Sequence, residues 1–376
     1  MSKKYRNWCP EIYRSVFIDR HNDTHVRIAP CCQADTKMEN VDDFDFESSA
    51  YLNDLRKQFD LDQQPAACNA CWNVEKHGHK SRRQSAIEFF QDSKPDYEVK
   101  LQGIDHSATW ACNLACVMCG PHNSSLWATE KNLNKNDLTQ LGRSFQKNNN
   151  IFNKLDLTQV KKIHFNGGEP MLNNDQTNLL IKLEQQGVLE NLFISYNTNG
   201  TVMPSKKIME LWSQARLVKL FFSIDATGDA FEYIRWPGNW QQTSRNMLEM
   251  KNNLPDNVMF GFNVAVGSYN LMELPDLYDW FDQNLATNRA GDQSDFCWQL
   301  ANNFDPQELP RQAKVDAISQ LASLDKFSGI IKYLESTLSQ NEDLSWIKKL
   351  TELDKQRNTN WRTTLKVSQY LKDKNC

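Results

Sequence analysis

The sequence predicts an α/β fold, in which a parallel sheet follows a cysteine-rich amino-terminal region and precedes a helical carboxyl-terminal tail. Six apolar, β-like runs alternate with amphipathic helical stretches in the middle of the chain. Such alternation is typical of a parallel sheet with helices outside it. Half of the ten cysteines lie in the first fifth of the chain, and no strand pattern follows residue 301. We therefore divide the 376 residues into regions 1–95, 96–301 and 302–376.

Composition excludes several classes of protein. The net charge of −4 is spread along the chain, so neither nucleic acid nor a membrane is an expected partner. No apolar run could cross a bilayer, and no secretory signal begins the chain, so we expect a cytoplasmic protein with reduced thiols. Clustered cysteines then indicate metal ligation rather than disulfides. Apart from the clusters, Cys297 is expected in the core and Cys376 as a free terminal thiol.

The elements can be placed in order along the chain. In the amino-terminal region, where periodicity is weak, Ala50–Phe59 has apolar residues at helical spacing. The predicted strands are Val99–His106, Val160–Phe165, Asn191–Tyr196, Val218–Ile224, Met259–Val266 and Phe296–Leu300. Helices are expected from about Asn173 and Ser205, and in the tail over Val315–Leu324 and Leu344–Leu353. Parallel sheets place their chemistry in loops at the carboxyl ends of the strands.

Three thiols follow the first predicted strand of the central region. Cys112, Cys116 and Cys119 are separated by three and then two residues. A closed structural zinc site needs four ligands, usually from paired Cys-x-x-Cys knuckles. Three thiolates on a four-iron cluster leave one iron open to a ligand, which suits catalysis. The alternative is a zinc site that takes its fourth ligand from elsewhere in the chain.

A second motif follows the second predicted strand. Gly167 and Gly168 let the backbone approach a ligand closely, and the carboxylate of Glu169 can accept hydrogen bonds from an ammonium group. Pro170 completes the motif. An ordinary β-turn would explain these four residues if they stood alone.

Together, in this order, the Cys-x3-Cys-x2-Cys and Gly-Gly-Glu-Pro motifs resemble the signature of the radical SAM superfamily. The resemblance implies a partial (β/α)6 TIM-like barrel over residues 96–301, with a 4Fe–4S cluster on the three thiols. It also implies that S-adenosylmethionine (SAM) binds the open iron and places its amino group at Gly167, Gly168 and Glu169. Many relatives have an aromatic residue where this chain has Met118, and Met can pack against an adenine instead.

Polar residues near later strand ends extend the resemblance. The implied SAM-binding residues are Asn199, Ser223, Asp225, Arg235 and Asn263. In relatives such positions border the ribose, the carboxylate and the adenine of the cofactor. For each residue taken singly, a capping or turn role is the alternative.

The amino-terminal cysteines form a second candidate metal site. The candidates are Cys9, Cys31, Cys32, Cys68 and Cys71. Four thiolates suffice, so one of Cys31 and Cys32 completes the set, and we favour Cys31. The group resembles the twitch and SPASM modules of radical SAM enzymes, which implies one auxiliary 4Fe–4S cluster and two clusters in all. Those modules usually follow the barrel, whereas this one precedes it, and tetrathiolate zinc is the alternative.

The resemblance implies an enzyme that reductively cleaves SAM to a 5′-deoxyadenosyl radical, which abstracts hydrogen from a substrate. A flavodoxin or ferredoxin would donate the electron. We expect the substrate to be a peptide residue; the alternative is oxidation of a sugar, amino acid or alcohol. A third reading is a non-enzymatic module stabilised by zinc or iron–sulfur. The sequence assigns no catalytic residue beyond these cofactor ligands.

Overall fold

The computed structural model describes eight segments of the chain. These are residues 7–20, 24–76, 80–91, 96–107, 109–140, 151–287, 291–301 and 303–372. Their strands are β1 (Ser15–Arg20), β2 (His25–Ala29), β3 (Lys37–Asn40), β4 (Gly103–Ser107), β5 (Lys162–Asn166), β6 (Phe193–Thr198), β7 (Leu217–Phe222), β8 (Val258–Val266) and β9 (Asp295–Leu300). Cys376 lies outside the described residues.

Helices connect most of these strands and form the carboxyl-terminal region. They are α1 (Glu11–Arg14), α2 (Ala50–Asp60), α3 (Asn69–Lys76), α4 (Arg82–Phe90), α5 (Ser125–Glu130), α6 (Lys135–Gln140), α7 (Asp175–Gln185), α8 (Lys206–Gln214), α9 (Gly228–Ile234), α10 (Trp240–Asn253), α11 (Leu274–Leu285), α12 (Arg311–Leu321), α13 (Ser328–Ser336), α14 (Trp346–Arg357) and α15 (Trp361–Thr364). Among the described residues, no helix combines the length and apolarity needed to cross a membrane.

The fold is α/β, with the strands in the sheet order β3-β2-β1-β4-β5-β6-β7-β8-β9. β1, β2 and β3 pair antiparallel, whereas the β1–β4, β4–β5, β5–β6 and β8–β9 pairs are parallel. All six predicted strands are present as β4 to β9, although β4 begins at Gly103 rather than Val99. Each lies in the sheet in chain order, as βα repeats require.

The first three strands were not predicted. Val16 and Ile18 are buried in β1, and Val16 pairs with Ile104 in β4. The apolar run in β1 is short, and its parallel partner lies far along the sequence, so no local pattern indicates the pairing. The predicted amino-terminal helix is confirmed as α2, which Ser49 caps by accepting a hydrogen bond from the backbone of Leu52.

Register across the parallel strands separates an apolar face of the sheet from a polar one. Residues in register on one face, all 1% exposed or less, are Val16, Ile104, Ile163 and Ile194. The next residue along each of three strands is polar, and Asp105, His164 and Ser195 are in register. The Nδ1 atom of His164 lies 2.8 Å from the hydroxyl of Ser195. Alternation along the strands therefore keeps this polar row off the apolar face.

Residue contacts divide the chain into two compact units. The first comprises Met1–Trp110, Asn132–Tyr196 and Lys206–Val218, and the second comprises Ala111–Lys131, Asn197–Ser205 and Lys219–Cys376. In the first unit, Tyr196 stacks on Phe165 at 4.9 Å between ring centres and accepts a hydrogen bond from Trp212 at 3.1 Å. In the second unit, aromatic rings around Phe262, Phe281 and Phe296 pack against one another.

The expectation that Cys297 is a buried core residue is wrong, because its side chain is exposed. Phe296 precedes it on β9 and is 7% exposed. Successive side chains of a strand point to opposite faces, so the aromatic residue takes the core position and the thiol does not.

Buried leucine side chains on α7 stabilise the first unit. Replacing Leu180, which is fully buried, with Ala should lower the free energy of unfolding by about 2–5 kcal/mol, because a cavity replaces packed atoms. The matched change Leu61→Ala, at a side chain 70% exposed, should cost less than about 0.5 kcal/mol. Urea unfolding followed by circular dichroism measures both, and equal losses would contradict the packing described.

His164 makes the stability depend on pH. Burial lowers the pKa of His164 to about 4 from its ordinary 6.5. The unfolded chain therefore takes up a proton between pH 6.5 and 4 that the folded chain does not, and stability falls as pH falls through this window. His164→Gln should flatten the decline in the urea midpoint across that range, whereas His122→Gln, at an exposed position, should leave it unchanged. If the urea midpoint of His164→Gln fell with pH in parallel with that of the unsubstituted chain, His164 would not be the source of the pH dependence.

Candidate metal centres

The loop that carries Cys112, Cys116 and Cys119 belongs to the second unit and is fixed by hydrogen bonds from its backbone. Ala115 N donates to the carbonyl of Trp236 at 2.6 Å, and Val117 N donates to that of Ile234 at 2.8 Å. From α5, the indole of Trp127 donates to the carbonyl of Cys116 at 2.8 Å. The loop is therefore anchored on two sides, and its thiols are presented from a defined backbone.

The three thiols differ in exposure. Cys116 is buried, whereas Cys112 and Cys119 are half-buried. Burial raises the pKa of Cys116 to about 12, and the Arg235 guanidinium opposes this shift. Burial also raises the pKa of Cys119, with Lys349 opposing it. A bound metal would displace these protons, since thiolates are the ligands.

A buried ion pair lies beside the cysteine loop. Arg235 contacts the carboxylate of Asp225 through Nε and a terminal nitrogen, each at 2.7 Å, and another nitrogen lies 3.9 Å from the Cys116 sulfur. The other carboxylate oxygen accepts a hydrogen bond from Ala265 N at 2.8 Å. Burial raises the pKa of Asp225, and the guanidinium opposes it. The pair places a positive charge beside the Cys116 thiol, where it would stabilise a thiolate.

Of the other polar residues predicted at strand ends, one contacts the loop directly. The amide of Asn199 lies 3.9 Å from the Cys112 sulfur and donates to the Asn113 side chain at 3.0 Å. Ser223 and Asn263 are half-buried, one just after β7 and the other on β8. The structure thus brings Asn199 and the Asp225–Arg235 pair to the cysteines, all within the second unit.

The glycine motif belongs to the first unit and directly follows β5. Gly167 has φ = +79°, and a Cβ atom there would lie 2.1 Å from the Ser107 hydroxyl oxygen. Glycine is therefore required by both the backbone conformation and the close approach. Glu169 is fully buried, and its carboxylate accepts a hydrogen bond from Met171 N at 3.0 Å.

Four amino-terminal cysteines line one cavity in the first unit. They are Cys9, Cys31, Cys68 and Cys71. Burial raises the pKa of Cys31 and of Cys68 to about 12, and for Cys68 the nearby thiols of Cys31 and Cys71 add to the shift. Four thiols around one cavity match the donor set of a four-iron cluster or a tetrathiolate site.

Cys32 is absent from the lining of this cavity, and its side chain is exposed. The backbone N of Cys32 donates to Asp105 at 3.1 Å, and its sulfur lies 3.4 Å from Arg82.

No disulfide links the described cysteines, and among the described residues no group of three or more Cys, His, Asp or Glu side chains surrounds a position for a single metal ion.

Sequence reasoning missed charged residues that the fold brings to both cysteine groups. Arg82 and Glu11 line the amino-terminal cavity, and Lys349 acts on Cys119. Arg357 donates to the carbonyl of Ala115 in the cysteine loop at 2.7 Å. Lys349 and Arg357 lie on α14, more than two hundred residues after the loop, so no local motif could have indicated them.

Residues 107–281 match the model of the Radical SAM superfamily. The match includes the three-cysteine loop and the glycine motif, so these residues, a little under half of the chain, match a radical SAM domain. The family model describes this domain and does not identify a substrate.

Curated relatives match a smaller part of the chain. Two proteins named GTP 3′,8-cyclase, from Lactiplantibacillus plantarum and Limosilactobacillus fermentum, are each 28% identical to it over 138 and 148 residues. The matches cover 36% and 39% of this chain and 37% and 40% of those proteins. The chain thus spans about two fifths of the length of these relatives.

Solved structures show a weak likeness. A structure described as native anSMEcpe with bound AdoMet is 16% identical, with a TM-score of 0.38 over 63% of this chain and 62% of that one. Streptococcus suis SuiB is 13% identical, with a TM-score of 0.36 over 82% of this chain and 62% of that one. At these TM-scores the likeness adds nothing to the family match.

The buried ion pair can be tested by removing one charge. Asp225→Asn should lower the free energy of unfolding by about 3–5 kcal/mol, because it leaves the Arg235 charge buried without its partner. Glu210→Gln changes a carboxylate that is 66% exposed and lies 3.8 Å from Lys207, and it should cost less than about 1 kcal/mol. Urea unfolding of the apoprotein compares them; a loss below that of Glu210→Gln would contradict the role of the pair.

Proposed function

We propose that this enzyme reductively cleaves SAM and uses the resulting radical to abstract hydrogen from a residue of a peptide, with one auxiliary 4Fe–4S cluster in the amino-terminal site. The observation that carries the proposal is the anchored loop with three thiols and no fourth cysteine in its motif. Cys112, Cys116 and Cys119 would hold a 4Fe–4S cluster, which would supply the electron for reductive cleavage of SAM to methionine and a 5′-deoxyadenosyl radical.

The residues around the loop have roles that follow from their contacts. Arg235 lies beside the Cys116 sulfur and offsets thiolate charge, while Asp225 holds the guanidinium in place. Asn199 directs its amide toward the Cys112 sulfur, where an N–H donor stabilises a thiolate. We assign the SAM amino group to the motif of Gly167, Gly168 and Glu169, and the ribose and adenine to Ser223 and Asn263.

The amino-terminal site is assigned to Cys9, Cys31, Cys68 and Cys71. Support comes from the cavity that these four thiols line and from the exposed position of Cys32 outside it. A cluster there can accept an electron from a substrate radical, which makes the overall reaction an oxidation. A flavodoxin or ferredoxin remains our proposal for the donor of the first electron.

The peptide substrate is proposed from the resemblance of the amino-terminal cysteines to twitch and SPASM modules. The second candidate is a small molecule, and the name of the two curated relatives, GTP 3′,8-cyclase, favours it. Candidate substrates carrying deuterium at single positions separate the two. Transfer of deuterium into 5′-deoxyadenosine from a peptide, and from no small molecule tried, is the result expected; transfer from a small molecule alone would overturn the peptide assignment.

Anaerobic reconstitution tests the two metal sites separately. The unsubstituted chain should bind about eight irons, as two four-iron clusters require, and form 5′-deoxyadenosine under reductant. Cys116→Ser should lose about half of the iron and all of the 5′-deoxyadenosine. Cys68→Ser should also lose about half of the iron but still cleave SAM without substrate.

Two control variants accompany this experiment. Cys297→Ser alters an exposed thiol on β9, and Cys32→Ser alters the thiol outside the cavity; both should retain the full iron content. Zinc in place of iron, with no 5′-deoxyadenosine formed by any preparation, would refute the radical chemistry. If Cys32→Ser lost iron and Cys31→Ser did not, Cys32 rather than Cys31 would be the cluster ligand.

A further inference from the structure

Two charged side chains share the amino-terminal cavity with the four thiols. Arg82 and Glu11 both line it, and each has a buried polar atom that forms no hydrogen bond within the described structure. These atoms are Nε of Arg82 and one carboxylate oxygen of Glu11. A buried N–H without an acceptor is costly, so an unpaired donor on a cavity indicates a group that the cavity is built to hold.

The remaining nitrogens of Arg82 are occupied and fix the guanidinium. One terminal nitrogen lies 2.6 Å from Asp105 on β4 and 3.7 Å from Glu11. The other lies 3.4 Å from the Cys32 sulfur. The Asp105 contact orients the planar guanidinium, whose fork geometry leaves Nε as the donor without a partner.

The start of α4 holds the backbone of Arg82 as well. Ser81 forms a capping box with Gln84, which fixes the first turn of this helix. The position of Arg82 is therefore set both by its own side-chain contacts and by the helix cap. With both ends of the side chain fixed, Arg82 has little freedom to rotate Nε toward another acceptor.

The neighbouring Arg83 also lines the cavity, but its guanidinium is held entirely by contacts within the protein. Its guanidinium forms two hydrogen bonds to Glu75, at 2.9 and 2.5 Å, and donates to the carbonyl of Trp8 at 2.8 Å. It also lies 5.1 Å from the centre of the Trp72 ring. Each of its three nitrogens donates to a protein oxygen, whereas Nε of Arg82 has no acceptor within the described structure.

We propose that Arg82 is a positioning residue of the amino-terminal cluster, that its Nε–H donates to a cluster sulfur, and that its charge raises the cluster's reduction potential. The inference rests on the proposed function, because it requires a four-iron cluster on the cavity thiols. Hydrogen bonds to sulfur and nearby positive charge both favour the reduced, more negative form of a cluster. The Cys32 contact gives Arg82 a second effect, since it keeps that thiol beside the guanidinium and away from the ligand set.

The electron balance is that of a single reduction. One electron from an external reductant such as dithionite converts the oxidised cluster to the reduced form, and no bond is made or broken. Arg82→Gln removes the charge and the Nε donor, so the reduced form should become less favourable. Asp105→Asn removes a negative charge from the same network and should shift the equilibrium in the opposite direction.

The measurement uses the full-length chain with Cys112→Ala, Cys116→Ala and Cys119→Ala, so that only the amino-terminal site contributes a signal. After anaerobic reconstitution, iron and sulfide are counted, and the reduction midpoint is found by electron paramagnetic resonance at controlled potentials. Arg82→Gln should lower the equilibrium constant for reduction roughly tenfold, which equals about 59 mV for one electron. Arg216→Gln, at an exposed arginine, is the matched control and should leave the midpoint unchanged.

The outcomes distinguish the presence of the amino-terminal cluster from the role of Arg82. An unchanged midpoint in Arg82→Gln with full iron content overturns the role of Arg82 and leaves the cluster in place. If the chain with Cys112→Ala, Cys116→Ala and Cys119→Ala binds no iron, both the amino-terminal cluster and the role of Arg82 are refuted. SAM cleavage is tested separately, by 5′-deoxyadenosine formation in the unsubstituted chain. If Arg82→Gln does not retain iron, Arg82→Lys decides: a full cluster with a shifted midpoint supports the role of Nε, and a full cluster with the parent midpoint refutes it.

Discussion

In the second unit, the ion pair between Asp225 and Arg235 is the interaction on which the cysteine loop depends. Asp225 follows β7 and is fully buried, and its other oxygen is held by the backbone of Ala265 in β8. Arg235 follows α9, and the carbonyl of the preceding Ile234 holds the loop backbone at Val117. One ion pair thus connects two strand ends to the segment that anchors the loop. A buried pair of this kind contributes orientation more than net stability, because desolvation offsets much of its attraction.

The first unit depends on a comparable network of charge. β1 lies parallel to β4, and Glu11, just before β1, accepts a contact from Lys162 at 2.5 Å at the start of β5. Asp105 in β4 takes the guanidinium of Arg82 at 2.6 Å. These contacts connect the cysteine-lined cavity to the polar face of the sheet. Removing any one partner would leave a charge in a poorly hydrated place, which is why such networks are sensitive to single substitutions.

Much of the fold could be predicted because its signals are local. Apolar runs of strand length separated by helical spacing indicated all six strands from β4 to β9, and α2 followed from the spacing of Leu52, Leu55 and Phe59. β1 to β3 escaped prediction because their runs are short and the β1–β4 pairing is distant in sequence. Cys297 was misplaced for a related reason: composition favours burial of a cysteine, but the alternation of β9 assigns the core position to Phe296.

The candidate sites, too, have a part that local sequence predicted and a part that only the fold decided. The cysteine and glycine motifs are short, so residue order alone indicated a radical SAM domain, and the family match over residues 107–281 agrees. The choice between Cys31 and Cys32 could not be made from spacing, because adjacent residues have the same spacing to every partner. Only the backbone conformation turns one thiol to the cavity and leaves the other exposed.

By itself, the sequence indicated the class of chemistry, since the cysteine spacing and the glycine motif are properties of a few consecutive residues. Tertiary structure alone decided which charged side chains lie beside those cysteines. Arg82 reaches the cavity through the capped start of α4, and Lys349 reaches Cys119 from α14. Electrostatic partners are selected by distance in space rather than in sequence, and that distance exists only once the chain has folded.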